Sequence, residues 1–165
     1  MRWLAMMALV AMTSAGVWGA DEPELMDLRV TQQDGSAVAL RDLVKGRPAV
    51  LAFWATYCAP CKAEVPALNR AAERWGSSGL RVIGISLESD PARMREAREA
   101  WGIRYDVLPI VAGQDAATER LFPRGLPAAA FVAGGKPTLQ DRILDDATLD
   151  ERVPKLLEHA PAPAQ

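Results

Sequence analysis

A continuous apolar segment, AVLAFWA at residues 49–55, runs almost directly into a helical pattern that begins at the two cysteines of the chain, Cys58 and Cys61. A short run without polar residues is typical of a strand that is covered on both faces of its sheet. Over residues 59–75, apolar side chains recur at helical spacing, and a glycine follows. The sequence therefore predicts a buried central strand, followed by a helix whose start carries both cysteines.

The rest of the chain alternates between strand and helix patterns. Strand patterns occupy residues 80–88, 105–112, 128–135 and 137–144, and helical patterns occupy residues 91–101, 116–122 and 148–159. The pair Asp34-Gly35 lies between two short strand-like runs, which is typical of a β-hairpin. In the last helix, Pro154 is expected to delay the start or bend the axis. This order predicts one α/β domain over residues 21–160, with a mixed central sheet flanked by helices.

The first twenty residues differ from this body. Arg2 is followed by an apolar run and then by small residues, an order that is typical of a secretion signal. The alternative is an uncleaved membrane anchor, because the segment from Trp3 to Ala20 carries no charge. Either interpretation of residues 1–20 predicts a periplasmic or otherwise extracytoplasmic domain. Residues 161–165 are expected to form a disordered tail.

Composition limits the class of protein and its partners. Half of the 165 residues are hydrophobic and 24% are charged, which is the profile of one soluble globular domain. The formal net charge is −2 and no basic tract is present, so nucleic acid is not expected as a partner. We expect a monomer.

The cysteine pair has three candidate uses, of which a metal site is the first. A closed zinc site takes four Cys or His ligands, whereas this chain has two cysteines and one histidine, His159. No metal or other cofactor is therefore expected. A structural disulfide is compatible with export, but a link between Cys58 and Cys61 closes a very small loop and gains little from loop entropy.

The third use is a reactive pair, which the local physics favours. Cys58 would lie just before the first helical turn, where free backbone N–H groups and the helix dipole stabilise a thiolate. Cys61 would lie inside the helix, placed to attack the mixed disulfide that Cys58 forms. Pro60 suits an early helical position because its missing N–H costs nothing there. We therefore predict Cys58 as the nucleophile and Cys61 as the resolving cysteine.

The segment FWATYCAPCKAEVP resembles the active-site segment of the thioredoxin superfamily, and its CxPCxxExP form is similar to the exported TlpA/ResA-like branch. The preceding DLRVTQQDGSAVALRDLVKGRPAVLAFWA resembles that branch's N-terminal hairpin and first core strand, and the likeness extends over about residues 28–157. The resemblance implies a thioredoxin-like fold with a helix–strand insertion near residues 101–111. It also implies a thiol-disulfide oxidoreductase.

The same resemblance implies which residues contact the partner. Pro127 in RGLPAAAF corresponds to the cis-proline that faces the cysteines, and the backbone of Leu126 would pair with an incoming peptide. An ordinary trans turn proline is the alternative. Tyr57 stands where the superfamily commonly has Trp and would shield the disulfide or touch the partner. Trp54, in the core or at the edge of the site, and Pro60 complete the predicted contacts.

The proton carrier departs from the pattern of thioredoxin itself. Thioredoxin has a buried aspartate in the strand before the first cysteine, and Ala52 stands at that position here. Glu64 matches the glutamate of the TlpA/ResA-like motif and lies one helical turn from Cys61, so we predict that it carries the proton. The alternative is a solvated charge on the helix surface, paired with Lys62 or Arg70.

The direction of electron flow depends on how well the Cys58 thiolate is supported. Ala59 and Pro60 supply no positive charge between the thiols, and a carboxylate at Glu64 would disfavour a thiolate. These features favour a reductase of protein disulfides, with a disulfide oxidase or isomerase, or a binding module with a static disulfide, as alternatives. The family implies a membrane thiol electron donor and cysteine-containing exported partners, with apocytochrome c, and hence cytochrome c maturation, as one candidate.

Overall fold

The computed structural model describes residues 25–88 and 90–158. The predicted signal or anchor at residues 1–20, the tail at 161–165 and His159 lie outside these ranges. Within them, every helix is too short or too polar to cross a lipid bilayer.

In the described part of the chain, the helical residues 25–27 are followed by seven strands and five further α-helices. The first half contains β1 (Arg29–Thr31), β2 (Ala37–Ala39), α1 (Leu40–Val44), β3 (Ala49–Trp54), α2 (Ala59–Trp75) and β4 (Arg81–Ser86). The second half contains α3 (Pro91–Trp101), β5 (Asp106–Pro109), α4 (Asp115–Leu121), β6 (Ala128–Ala133), β7 (Lys136–Gln140) and α5 (Asp146–Glu158).

The central sheet is mixed, as predicted. Its strand order is β5-β4-β3-β6-β7. Strands β3, β4 and β5 are parallel, whereas β6 is antiparallel to β3 and β7 is antiparallel to β6. The carboxyl ends of the three parallel strands therefore meet the amino end of β6 at one edge of the sheet, where Phe53 pairs with Ala128.

Strand β3 is buried along its whole length, which confirms the prediction of a central strand. Its side chains alternate between two core layers, as the strand period requires. Val50 and Trp54 belong to the layer beneath α2, α3 and α5, whereas Leu51 and Phe53 belong to the layer beneath α1 and α4. Helices therefore flank both faces of the sheet.

The predicted hairpin forms as a separate two-stranded sheet. Strands β1 and β2 pair antiparallel, with Val30 opposite Val38. Gly35 has a φ of +82°, a conformation that glycine adopts without strain, and it completes the turn. The hairpin attaches to the main sheet through a bridge between Val30 and Ile110. The hairpin therefore packs beside the carboxyl end of β5.

Two helices differ from the sequence-based expectation. Helix α1 was not predicted, because its five residues follow β2 directly and are too few to show a helical period. Helix α5 begins at Asp146, earlier than residue 148, and Pro154 lies inside it without delaying its start. The reason is a cap: the carboxylate of Asp145 accepts the backbone N–H of Thr148 at 2.8 Å.

Candidate active site

The start of α2 holds the two cysteines in a disulfide. Cys58 is the N-cap residue, with extended backbone, and its Sγ accepts the backbone N–H of Cys61 at 3.3 Å. The Cys58 N–H donates to the carbonyl of Ala55 at 3.0 Å, which closes the turn between β3 and α2. The Cys61 N–H and the positive end of the helix dipole would both stabilise negative charge on the Cys58 sulfur.

The two cysteines differ in their access to the surface. Cys58 is 6% exposed and Cys61 is 3% exposed, so neither projects freely into solvent in the disulfide form. Cys58, however, lines a surface groove of about 480 Å³, and Cys61 is not part of its wall. Cys58 is therefore the cysteine that a bound partner can approach.

The wall of the groove beside Cys58 has an apolar part and a polar part. Tyr57, Pro60, Leu87, Ile110, Phe122 and Leu126 form the apolar part, and Gln114, Asp115, Thr118 and Glu119 line the polar part. Leu87 directly follows β4 and Ile110 directly follows β5. Their backbone N–H groups donate to the carbonyls of Trp54 and Ser86, each at 2.8 Å. Leu87 and Ile110 were not identified from the sequence, although the rule that sites form at the carboxyl ends of parallel strands points to both.

The loop before β6 also contributes to the wall of the groove. The peptide bond between Leu126 and Pro127 is cis, and both residues are half-buried. Leu126 lines the groove, whereas Pro127, which directly precedes β6, is not part of its wall. Tyr57 stands at the mouth of the groove and is 79% exposed. Of the predicted partner contacts, the structure thus gathers Tyr57, Pro60 and Leu126 around Cys58.

Trp54 lies in the core instead of on the groove wall. It is 3% exposed, and its ring packs against Trp101 with a centroid distance of 5.1 Å. Its indole N–H has no hydrogen-bond partner among the described residues and lies close to Gly84. A contact between Trp54 and a partner would require this ring to leave its position.

Glu64 is buried, which contradicts the alternative of a solvated surface charge. The residue is 2% exposed, and its carboxylate accepts the backbone N–H of Leu144 at 2.7 Å. Neither ion pair of that alternative forms among the described residues: Lys62 is exposed, and Arg70 binds Asp146 at 2.6 Å. Burial raises the pKa of Glu64 to about 7, although the hydrogen bond from Leu144 lowers it.

The position of Glu64 suits proton exchange with Cys61. Residues three apart on a helix share a face, and both side chains are buried on the inner side of α2. Burial, with the charge of Glu64 as a second cause, raises the pKa of Tyr105. Tyr105 therefore remains neutral near pH 7. Glu64 is thus a buried carboxyl group with a pKa raised to about 7, one helical turn from Cys61, and Ala52 on β3 offers no competing group.

A second contact positions the turn that carries Cys58. Thr56 donates its hydroxyl hydrogen to the carboxylate of Glu88 at 2.6 Å. The Glu88 backbone N–H in turn donates to the hydroxyl of Ser86 at 3.1 Å. These two hydrogen bonds join the turn after β3 to the loop after β4. They were not predicted, because Thr56 and Glu88 are distant in sequence.

The fold and the disulfide at the start of α2 define a thioredoxin-like protein, which confirms the predicted fold. The thioredoxin domain of a thiol-disulfide oxidoreductase from Bacteroides vulgatus superposes with a TM-score of 0.68 at 20% identity, covering 79% of this chain and 92% of that one. The model of the AhpC/TSA family matches residues 23–119, and the chain belongs to this family.

Sequence relatives agree with the predicted resemblance. Thiol-disulfide oxidoreductase ResA of Bacillus thuringiensis is 28% identical over 78 residues, which are 47% of this chain and 44% of that protein. The protein of the same name from Oceanobacillus iheyensis is 25% identical over 147 residues, or 87% of this chain and 73% of that protein. The chain thus aligns with less than half the length of the first relative.

Proposed function

We propose that this protein is a thiol-disulfide oxidoreductase that reduces disulfides of other proteins outside the cytoplasm. One observation carries the proposal: the Cys58–Cys61 disulfide lies at the start of α2, with Cys58 on the wall of an apolar groove. Family membership and the names of the relatives support the same chemistry.

The reaction transfers two electrons through a mixed disulfide. In the reduced protein, the Cys58 thiolate attacks one sulfur of the partner's disulfide, and the other partner sulfur leaves and takes up a proton. Cys61 then passes its proton to the Glu64 carboxylate and attacks the Cys58 sulfur. This step forms the Cys58–Cys61 bond and releases the second partner sulfur, which also becomes a thiol. The partner is thereby reduced and the protein is oxidised.

The surroundings of the cysteines favour the reducing direction. A strongly oxidising pair needs extra stabilisation of its reduced form. Ala59 and Pro60, between the cysteines, supply no charge. The buried carboxyl of Glu64, with a pKa of about 7, becomes negative above neutral pH and opposes thiolate formation nearby. The pair then loses its electrons readily to an oxidised partner.

The cellular setting is part of the proposal. Residues 1–20 direct the chain out of the cytoplasm, as a cleaved signal or as an anchor. A membrane thiol donor returns two electrons to the oxidised pair after each cycle. The partners are cysteine-containing exported proteins, with apocytochrome c as one candidate, and the protein acts as a monomer. A disulfide oxidase or isomerase, or a binding module with a static bridge, is the alternative.

Two measurements test the function and its direction. The wild-type protein should accelerate the reduction of insulin by dithiothreitol, because Cys58 lines a surface groove that a disulfide of a partner protein can enter. Its redox potential, from equilibration in thiol buffers, should lie nearer to that of thioredoxin, about −270 mV, than to that of DsbA, about −120 mV. A potential near the latter value would reject the reducing direction. No acceleration of insulin reduction would favour the static bridge.

A further inference from the structure

The groove beside Cys58 carries charge of one sign. Asp115 and Glu119, both on α4, line it together with the apolar side chains, and no Lys or Arg of the described residues does so. Both carboxylates are exposed. Of the ion pairs within the described ranges, none includes either residue. In the part of the chain that the structure describes, the groove therefore has an acidic rim, Asp115 and Glu119, that forms no ion pair.

The two carboxylates occupy one face of a helix that is firmly placed. Residues four apart lie side by side on a helix, and like charges at this spacing weaken it slightly. The side chain of Gln114, just before α4, exchanges two hydrogen bonds of 2.8 Å with the backbone of Arg29. Phe122, just after α4, packs on Phe53 with a centroid distance of 4.5 Å. The acidic rim is thus anchored at both ends.

The geometry points to partner segments in which a Lys or Arg lies beside the disulfide that Cys58 attacks, together with an apolar side chain that fills the groove. This inference rests on the proposed function and specifies its substrate class. Complementary charge at the edge of an interface mainly accelerates association and weakens as salt screens it. Asp115 and Glu119 are thus specificity-determining residues, and the groove selects basic over acidic cysteine-containing segments.

The test uses the reduced full-length protein and short peptides with one internal disulfide, identical except for Lys, Gln or Glu next to a cysteine. Acid quenching and mass spectrometry give the rate of peptide reduction. We expect the Lys peptide to react about fivefold faster than the Glu peptide at low salt, the size of effect that exposed charge pairs produce. Added salt should reduce this preference.

Two double variants assign the preference to α4. In Asp115→Asn/Glu119→Gln, the ratio of the Lys to the Glu rate should fall to about one. The matched control is Asp42→Asn/Glu96→Gln, which removes an exposed acid from the first turn of α1 and another from α3. This control should keep the wild-type ratio.

The outcomes separate the inference from the proposed function. Rapid reduction of all peptides at equal rates overturns the charge preference and leaves the reductase intact. A preference that survives in Asp115→Asn/Glu119→Gln also overturns the assignment to α4. No reduction of any peptide overturns both the function and the specificity that rests on it.

Discussion

Replacement of Cys58 by serine is expected to return insulin reduction to the rate of dithiothreitol alone. A serine hydroxyl cannot take part in thiol–disulfide exchange, so the covalent route disappears. The part of the rate that the protein catalyses, above that of dithiothreitol alone, should fall by about 10³-fold or more. Cys58 is the only one of the two cysteines that lines the groove. The measurement is the initial rate of insulin precipitation with variant and wild type at equal concentration.

Cys61→Ala is the matched variant, because it removes the other sulfur and leaves Cys58 in place. It should also fail to turn over, yet it should accumulate a mixed disulfide between Cys58 and insulin, visible on a non-reducing gel. Cys58→Ser should accumulate none. If Cys58→Ser trapped the partner through Cys61 instead, the assignment of nucleophile and resolving cysteine would be reversed.

Replacement of Glu64 by glutamine is expected to stabilise the protein at alkaline pH. Glutamine keeps an oxygen that can accept the Leu144 N–H, and it cannot ionise. Burial raises the pKa of Glu64 from 4.5 to about 7, so the folded state holds a proton that the unfolded chain releases. The stability that this bound proton contributes is fully present below about pH 4.5 and is lost as pH rises through about 7. The free energy of unfolding of the wild type thereby falls by about 3 kcal/mol.

Urea unfolding as a function of pH measures this effect. At about pH 8, Glu64→Gln should exceed the wild type by up to about 3 kcal/mol in free energy of unfolding, and the difference should shrink toward zero near pH 4. Glu73→Gln, on the exposed side of the same helix, should change stability by less than about 1 kcal/mol. Equal stability of Glu64→Gln and wild type at both pH values would contradict a buried, titrating carboxyl group.

The same variant separates a proton carrier from a merely structural residue. If Glu64 accepts the Cys61 proton, Glu64→Gln should slow the decay of the mixed disulfide by about 10²-fold in a single turnover, within the range for general base catalysis. Attack by Cys58 should change much less. A variant in which both steps keep their wild-type rates would exclude the proton role.

The parts of the molecule that the sequence predicts are those encoded by neighbouring residues. The apolar run of β3 and the helical period of α2 are local patterns, so the buried strand and the helix that begins directly after Cys58 were predicted. The Asp34-Gly35 turn likewise predicted the hairpin. Helix α1 was not predicted, because its five residues are too few to show a helical period of hydrophobic residues.

Properties that depend on tertiary contacts were not readable from the sequence. The motif singles out Glu64, but its burial depends on Leu144, which lies 80 positions later in the chain. A helix-surface charge and a buried carboxyl have the same sequence spacing, and only packing distinguishes them. In the same way, the sequence alone does not distinguish Asp115 and Glu119 from other surface acids. Only the fold shows that α4 lies beside Cys58.

The central claim, that Cys58 attacks first, is tested most directly by alkylating the reduced protein. A brief pulse of iodoacetamide near neutral pH, followed by peptide mapping, shows which sulfur reacts. The account predicts that Cys58 is labelled well before Cys61, because it lines the groove and accepts the Cys61 N–H at the start of α2. Earlier labelling of Cys61, or no labelling of Cys58 in the folded reduced protein, would contradict it.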